Sequence, residues 1–489
     1  MKIEELYQLY QQHPCITTDS RNCPEGSIFL ALKGESFNGN QFAVSALEKG
    51  CSYAIIDEPT VLENLEHLDH LDNLGPLDAL KQRLILVDNC LQTYKDLARE
   101  HRRQFDIPVI GITGTNGKTT TKELIRAVLA ECYNVMATEG NFNNDVGVPK
   151  TLFGLNDSHD IAVVEMGASH PGDIKTLVET AEPNCGLITN VGRAHLQGFG
   201  SFEGVCKTKG ELYDFLLAHN CPLFVNRDNE HLIEMIANSQ KLIAKSQKPK
   251  ANSQQPDIYY YGQSDAEDIL IRGEVISCAP FLKFRWREQD ADAGYTSDWM
   301  EVQTHLIGAY NLDNMLAAIT IGYVNNIPFE QINHALESYV PTNNRSQLTE
   351  TEKNHLIVDA YNANPTSMKA ALDNFRLMEV SPKMAILGMM GELGDVSQEE
   401  HQKIIALLEE AHFDEVWLVG AEFEKANSQK LTAIRNATLC SAENGQKPYR
   451  TFANVDEVKQ AIAQEQPVGR YILIKGSNST HLYELPTLL

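Results

Sequence analysis

Between Pro108 and Ile125 the chain reads PVIGITGTNGKTTTKELI. An apolar run, Val109 to Thr113, meets a turn containing Gly114 and Gly117, and then Lys118 and three threonines open a helical pattern. These residue types suit the holding of phosphate. The first backbone N–H groups of a helix have no partner within it, and the helix dipole favours negative charge there. Gly114 and Gly117 can take positive φ and let the backbone approach a phosphate closely. Lys118 would reach the outer phosphates of a nucleotide, and the Thr119 hydroxyl would take Mg2+. Thr115, Asn116 and Thr120 complete the loop. The commoner spacing would place a glycine at position 112, where Ile112 stands; that change alters only the strand end. The alternative is a glycine-rich strand-to-helix turn with an exposed lysine.

Other residues of chemical interest follow apolar runs. VVEMGASHPGDI puts Glu165 at the end of one, and LITNVGRAHLQGFGS puts His195 just past another. The C-terminal ends of strands are where α/β sheets bind ligands, although a strand-ending acid is often only solvated and a lone histidine is usually structural. EGVCKTKGELYDFL reads as an amphipathic helix with Val205, Leu212, Phe215 and Leu216 on one side; Lys207 and Lys209 would ordinarily face solvent. Asn311 and Asn314 lie in HLIGAYNLDNMLAA, where the plain reading of Asn311 is a helix N-cap. Arg345, in PTNNRSQ, has the planar, permanently charged group that binds phosphate bidentately.

The elements that must position these groups are α/β throughout. Residues 1–104 hold the short apolar runs SIFLAL, YAIID and LILVDN, and the intervening PTVLENLEHLDHLDNLGPLDALKQ reads as a surface helix. Residues 105–340 alternate IPVIGIT, DIAVVEMG, CGLITNVG and CPLFVN with helical patterns, which suits a parallel sheet covered by helices on both faces. NSQKLIAKSQKPKANSQQPD within them reads as a solvated excursion. Residues 341–489 repeat the scheme with HLIVDAYN, KMAILGMMG, EVWLVGA and RYILIKGS, a second α/β unit.

Several of these motifs together resemble the Mur ligases over nearly the whole chain: GITGTNGKTT, the Glu165 and AHL segments, TKGEL, the Gly-x-x-Asn-x-x-Asn stretch and YNANP. The resemblance implies three domains: an N-terminal α/β domain binding the UDP-muropeptide (1–104), a central P-loop mononucleotide-binding domain (105–340) and a C-terminal Rossmann-like domain (341–489). It implies ATP-dependent formation of a C–N bond, with ATP and Mg2+ as cofactors. Glu165 and His195 match magnesium ligands, and Lys209 matches a lysine that family members carbamylate, which would make it a hard oxygen ligand. Asn311 would contact adenine and Asp359 the ribose hydroxyls. Tyr361, Asn362 and Asn364 lie in YNANP, which matches members that add D-alanyl-D-alanine to UDP-N-acetylmuramoyl-tripeptide. TTDSRNCPEGS makes Ser20 and Arg21 candidates for the UDP end, and GNFNND makes Asn141, Asn143 and Asn144 candidates for the sugar-peptide part. Asn478 stands where an arginine is expected soon after Gly-Ser, and Lys475 is the cation available to compensate. Met389 stands where many relatives carry Asp, and no role is assigned there. Rival readings are another amino-acid ligase of the family, or a nucleotide-binding regulator that keeps the fold without ligation.

Composition narrows the partners. The 41 basic residues are outnumbered by 66 acidic ones, a formal charge of −25, which argues against nucleic acid or an anionic membrane. No apolar stretch approaches the ~20 residues of a membrane span, and the start lacks the apolar segment of a signal peptide. Ten cysteines without a C-x-x-C pair fit reduced thiols. A cytoplasmic monomer acting on small molecules is expected.

Overall fold

A computed structural model describes residues 1–34, 36–67, 76–246, 256–278, 280–290, 294–341, 347–438 and 449–489. The chain forms two compact units. The first comprises Met1–Val109, Met136–Met166 and Thr176–Pro183; the second comprises Ile110–Val135, Gly167–Lys175 and Asn184–Leu489.

In the first unit, β1 (Ile16–Thr17), β2 (Ile28–Leu30), β3 (Tyr53–Ile56) and β4 (Leu84–Leu86) form a parallel sheet in that order. The short apolar runs became these strands because every side chain of β2 is buried and β3 buries Ala54, Ile55 and Ile56. The segment 59–82 is not one surface helix. It makes a turn of helix at Thr60–Glu63, a tighter turn at Asn64–His67 and a helix at Leu77–Arg83, and residues 68–75 lie outside the described residues. Pro76, extended at ψ 144°, stands at the N-cap and starts the last of these helices afresh. Leu65 and Leu80 are drawn into the core.

The second unit contains two sheets. β5 (Val109–Thr113), β8 (Cys185–Ile188), β9 (Leu223–Asn226), β10 (Ile258–Gly262) and β11 (Ile269–Cys278) run parallel. β12 (Phe281–Asp290) then turns back on β11, and β13 (Tyr295–Thr296) and β14 (Met300–Ile307) pair antiparallel with it. β6 (Val135–Ala137) and β7 (Ile161–Glu165) neighbour each other in the first unit. The fully parallel sheet expected for residues 105–340 is therefore a mixed one. In FLKFRWRE, Leu282, Phe284 and Trp286 are buried while Lys283, Arg285 and Arg287 stay partly exposed, the period-2 pattern of a half-solvated antiparallel strand. The polar stretch 238–257 also differs from expectation. Helix Glu230–Ser246 runs through its first half, because Leu232, Met235, Ile236 and Ser239 fall on one buried face; residues 247–255 lie outside the described residues.

The last sheet has the order β15 (Gln347–Glu350), β16 (His355–Asp359), β20 (Tyr471–Lys475), β17 (Lys383–Gly388), β18 (Glu415–Val419) and β19 (Arg450–Phe452). Only β15 runs antiparallel. Alternate residues enter opposite cores: Ile357, Ala385, Leu387 and Leu473 on one face, and Leu356, Val358, Met384, Ile386, Ile472 and Ile474 on the other. With both faces covered, the strands read as unbroken apolar runs. Each fully buried Leu or Ile there contributes about 1.5–3 kcal/mol relative to exposure.

Candidate active site

β5 delivers the chain into the glycine turn. Gly114 has φ +148°, and a Cβ there would lie 2.0 Å from Thr189 Oγ1. Gly117 has φ +81°, with Asn314 Oδ1 2.7 Å from where a Cβ would be. Neither position tolerates a side chain. Helix Lys118–Leu129 starts immediately afterwards, and Gly117 supplies no side-chain cap. The turn is braced by the end of β8. Thr115 N donates to Asn190 O (2.9 Å), Asn116 N to Asn190 Oδ1 (3.0 Å), and Thr189 Oγ1 to Asn116 O (2.7 Å). Lys118 curls back so that its Nζ donates to Gly114 O (2.7 Å) and Thr115 O (3.1 Å), which holds its charge at the centre of the turn. Thr119 is buried and Thr120 half-buried.

His195 follows β8 and caps helix Leu196–Phe199 with φ +51°. Its pKa is lowered chiefly by burial; Glu392 opposes this, while the positive charges of Lys118 and Lys209 add to it. A neutral imidazole that feels both lysines is an available nitrogen ligand in a site of excess positive charge. Lys209 lies on helix Phe202–Ala218 and is only 2% exposed, whereas Lys207 on the same helix is exposed. Its Nζ stands 5.7 Å from the Phe199 ring centroid. That helix buries Val205, Leu212, Tyr213, Leu216 and Leu217. Phe215, expected on the same face, is half-exposed against His219, and Tyr213 fills the core instead.

The second asparagine motif packs on the turn rather than capping its helix. Tyr310, not Asn311, occupies the N-cap of helix Asn311–Val324. Asn311 is buried; its Nδ2 donates to Ile307 O (2.8 Å) and its Oδ1 accepts from Asn314 Nδ2 (2.8 Å). Asn314 Oδ1 in turn accepts from Thr121 Oγ1 (3.0 Å). This amide relay locks the helix against the one that begins at Lys118.

The C-terminal sheet also reaches the turn. Asn364 caps helix Pro365–Leu377, accepting from Ser367 N (2.9 Å), and its Nδ2 donates to Asn116 Oδ1 (2.7 Å). Arg193 N donates to Thr366 Oγ1 (3.3 Å), and the Arg193 guanidinium pairs at 2.9 Å with the buried carboxylate of Glu400. Asp359 is tied to Lys475 at 2.5 Å, and Lys475 is 1% exposed. The lysine expected to stand in for a missing arginine is thus committed to Asp359; a buried cation requires such a partner. Tyr361 and Asn362 lie on the partly exposed turn between them, Asn362 accepting from Ala363 N (2.8 Å). Asn478 is exposed. Arg345 lies outside the described residues.

The first unit holds the remaining candidates. Glu165 ends β7, is 1% exposed and accepts from Asn143 Nδ2 (2.8 Å). Asn144 Oδ1 accepts from Gly147 N (2.8 Å) at the start of helix Gly147–Leu152, and Asn141 is exposed. Arg21 binds Asp19 through two 2.9 Å hydrogen bonds, which lower that carboxyl to about 2, and Ser20 O accepts from Lys49 Nζ (2.6 Å).

Thr189, Asn190, Thr366 and Glu392 shape the site without being marked in the sequence. Thr189-Asn190 directly follows an apolar strand, and Glu392 sits between two glycines after another; both are strand-end positions of the kind that found Glu165. No group of three or more His, Cys, Asp and Glu side chains is placed to hold a metal among the described residues. A metal here would need a mixed donor set, and the Thr119 hydroxyl, the neutral His195 imidazole and an oxygen-bearing modification of Lys209 provide hard and borderline donors of the right chemistry.

A glycine turn between a parallel strand and an uncapped helix, with a lysine folded over it, defines a phosphate-binding α/β protein. Comparison with known proteins narrows this. Residues 14–102 match the Mur ligase family catalytic domain, 112–322 the Mur ligase middle domain, and 344–478 the Mur ligase glutamate ligase domain. A UDP-N-acetylmuramoyl-tripeptide–D-alanyl-D-alanine ligase of Synechocystis is 32% identical, over 96% of this chain and 90% of its own length. One from Bacillus subtilis is 30% identical over 96% and 92%. A crystal structure of MurF from Acinetobacter baumannii superposes with a TM-score of 0.78 at 28% identity, covering 100% of this chain and 97% of that one. The chain belongs to the Mur ligase family, among its UDP-N-acetylmuramoyl-tripeptide–D-alanyl-D-alanine ligases, and has the three-domain α/β fold of that family.

Proposed function

We infer that this chain joins D-alanyl-D-alanine to UDP-N-acetylmuramoyl-tripeptide with hydrolysis of ATP, in the synthesis of peptidoglycan precursors. The observation that carries the reading is the glycine turn Gly114–Gly117 at the start of helix Lys118–Leu129 with the Lys118 ammonium folded over it, within a chain of this family. A carboxylate is a poor acyl donor because an amine cannot expel oxide from it. Transfer of the γ-phosphoryl group to the tripeptide's terminal carboxylate makes an acyl phosphate. The dipeptide amine then attacks the acyl carbon, and inorganic phosphate leaves. Two anions must meet in the first step, and preorganised positive charge at developing negative charge is usually the largest catalytic contribution.

The turn residues Gly114, Thr115, Asn116, Gly117, Lys118, Thr119 and Thr120 would cradle the phosphates, with Asn311 toward adenine and Arg345 and Asp359 toward the rest of the nucleotide. One Mg2+ would be held by Thr119, and a second by His195 and a carbamylated Lys209, with Glu165 assigned to the second as a further donor on the family resemblance alone. Bound Mg2+ would supply charge neutralisation for the reacting oxygens. Ser20 and Arg21 are assigned to the UDP end, Asn141, Asn143 and Asn144 to the sugar-peptide part, and Tyr361, Asn362 and Asn364 to the second substrate. No helix among the described residues is long and apolar enough to cross a membrane, and a cytoplasmic monomer suits the nucleotide-activated substrate.

Phosphate release measured with UDP-N-acetylmuramoyl-tripeptide, with and without D-alanyl-D-alanine, tests the reading. Turnover should require the dipeptide; ATP hydrolysis independent of it would favour a regulator. For the carbamate, Lys209→Ala should be nearly inactive and wild-type activity should fall in CO2-depleted buffer, while Lys207→Ala stays active. An active Lys209→Ala variant would remove the carbamate from the mechanism.

A further inference from the structure

The loop after β17, residues 389–396, matches no functional motif, yet several side chains anchor it. Met390 N donates to Nε2 of His401 (3.0 Å), a fully buried histidine whose Nδ1 bonds Ser397 O (2.7 Å). Gly391 N donates to the buried Ser477 Oγ (2.8 Å). Between these anchors and Gly394, Glu392 takes φ +60°, a left-handed conformation that costs a non-glycine residue about 1–2 kcal/mol. The strained residue lands on the loop after β8. Gln197 N donates to Glu392 O (3.3 Å), and the Glu392 carboxylate meets His195 Nδ1. His195 is itself left-handed, at φ +51°.

We propose that Glu392 is a positioning residue for His195. Its carboxylate lies against a buried Nδ1 that makes no aligned hydrogen bond in this structure; accepting from that atom would orient the ring and leave Nε2 as the coordinating nitrogen, as carboxylates behind metal-binding histidines commonly do. Glu392 arrives from the C-terminal sheet and His195 from the central one, so the ligand is set only when those two parts are docked. The inference rests on the reading of His195 as a magnesium ligand. Stability does not explain the contact, because the Glu392 side chain is 62% exposed and an exposed pair contributes little to folding.

The test uses the full-length protein with ADP and Mn2+ as the probe, its affinity read by electron paramagnetic resonance, alongside the Mg2+ dependence of ligation. Glu392→Ala should weaken Mn2+ binding about 10–100-fold and lower kcat, with the KM for ATP and the melting temperature unchanged. Glu392→Gln, which keeps the shape, should fall between. Glu400→Gln breaks the neighbouring pair with Arg193 and controls for general loosening; an equal loss of Mn2+ affinity there would overturn the proposal. So would wild-type affinity in Glu392→Ala when His195→Ala has lost it. Wild-type affinity in His195→Ala as well would show instead that the magnesium reading of His195 is wrong.

Discussion

Two strand-to-helix junctions in the second unit have the same topology and opposite finishing. β5 passes through Gly114–Gly117 into helix Lys118–Leu129, which has no side-chain cap. β16 passes through residues 360–364 into helix Pro365–Leu377, closed by the Asn364 side chain, by the reciprocal bond from Asn364 N to Ser367 Oγ and by Pro365 at its first position. A cap satisfies orphan amides and stabilises a helix start by about 1 kcal/mol. Proline there removes a donor that would have gone unused. The second junction is finished for stability. The first forgoes the cap, keeps glycine on both sides of the bend and sets a lysine over it, so its stability must come from a bound anion and from the bracing of Thr189, Asn190 and Asn314. Several other helices here also lack a side-chain cap; what sets this start apart is glycine at positive φ on both sides of the bend and a lysine folded over it.

Substitutions can break this contrast. Lys118→Ala leaves the turn's backbone intact and removes its charge; ligation should fall about 10²–10³-fold, measured as dipeptide-dependent phosphate release, with little change in melting temperature. Gly117→Ala places a methyl 2.7 Å from Asn314 Oδ1 at φ +81°. It should raise the KM for ATP about tenfold, equivalent to about 1.4 kcal/mol, and lower the melting temperature as well. Asn364→Ala uncaps the other helix and should cost about 1 kcal/mol in urea unfolding, with a modest loss of kcat because Asn116 loses its partner. The smallest effect is one of pH. Burial lowers the His401 pKa below the ordinary 6.5, so the unfolded chain binds that proton more readily. The neutral ring's contribution to stability is therefore full above about pH 6.5 and is lost as pH falls toward the folded pKa. Urea midpoints should decline across that window, and less so in His401→Gln; an unchanged slope would remove His401 as the cause.

Much of this could be read from the sequence where a single residue's chemistry coincides with a strand end. Lys118, Glu165, His195 and Asp359 all follow apolar runs, and β5, β7, β8 and β16 end where those runs end. What stayed hidden depends on tertiary partners. Nothing local reveals that Lys475 is spent on Asp359, that Asn311 turns inward, or that Tyr213 displaces Phe215 from the core. Helix Glu230–Ser246 was obscured because polar composition outweighed a buried face at Leu232, Met235, Ile236 and Ser239. The β11–β14 ladder was legible in principle, since FLKFRWRE alternates, but the parallel α/β pattern on either side of it is the stronger signal. Glu392 was unreadable because its importance comes from a left-handed backbone and a partner almost two hundred residues away.

Asn116 and Gly117 also make an Asn-Gly pair, a dipeptide in which the bare glycine nitrogen can attack the asparagine side-chain carbon, shed ammonia and leave aspartate or isoaspartate. Asparagine is a thermolabile residue for this reason. Here the amide is pinned by Asn364 at 2.7 Å and the peptide carbonyl by Thr189 and Asn190, bonds that resist the side-chain and peptide rotation the attack requires. The same clasp that joins the two sheets thus protects the turn from chemical ageing. A preparation stored with the C-terminal part undocked should accumulate an extra negative charge at position 116, where it would repel the nucleotide's phosphates.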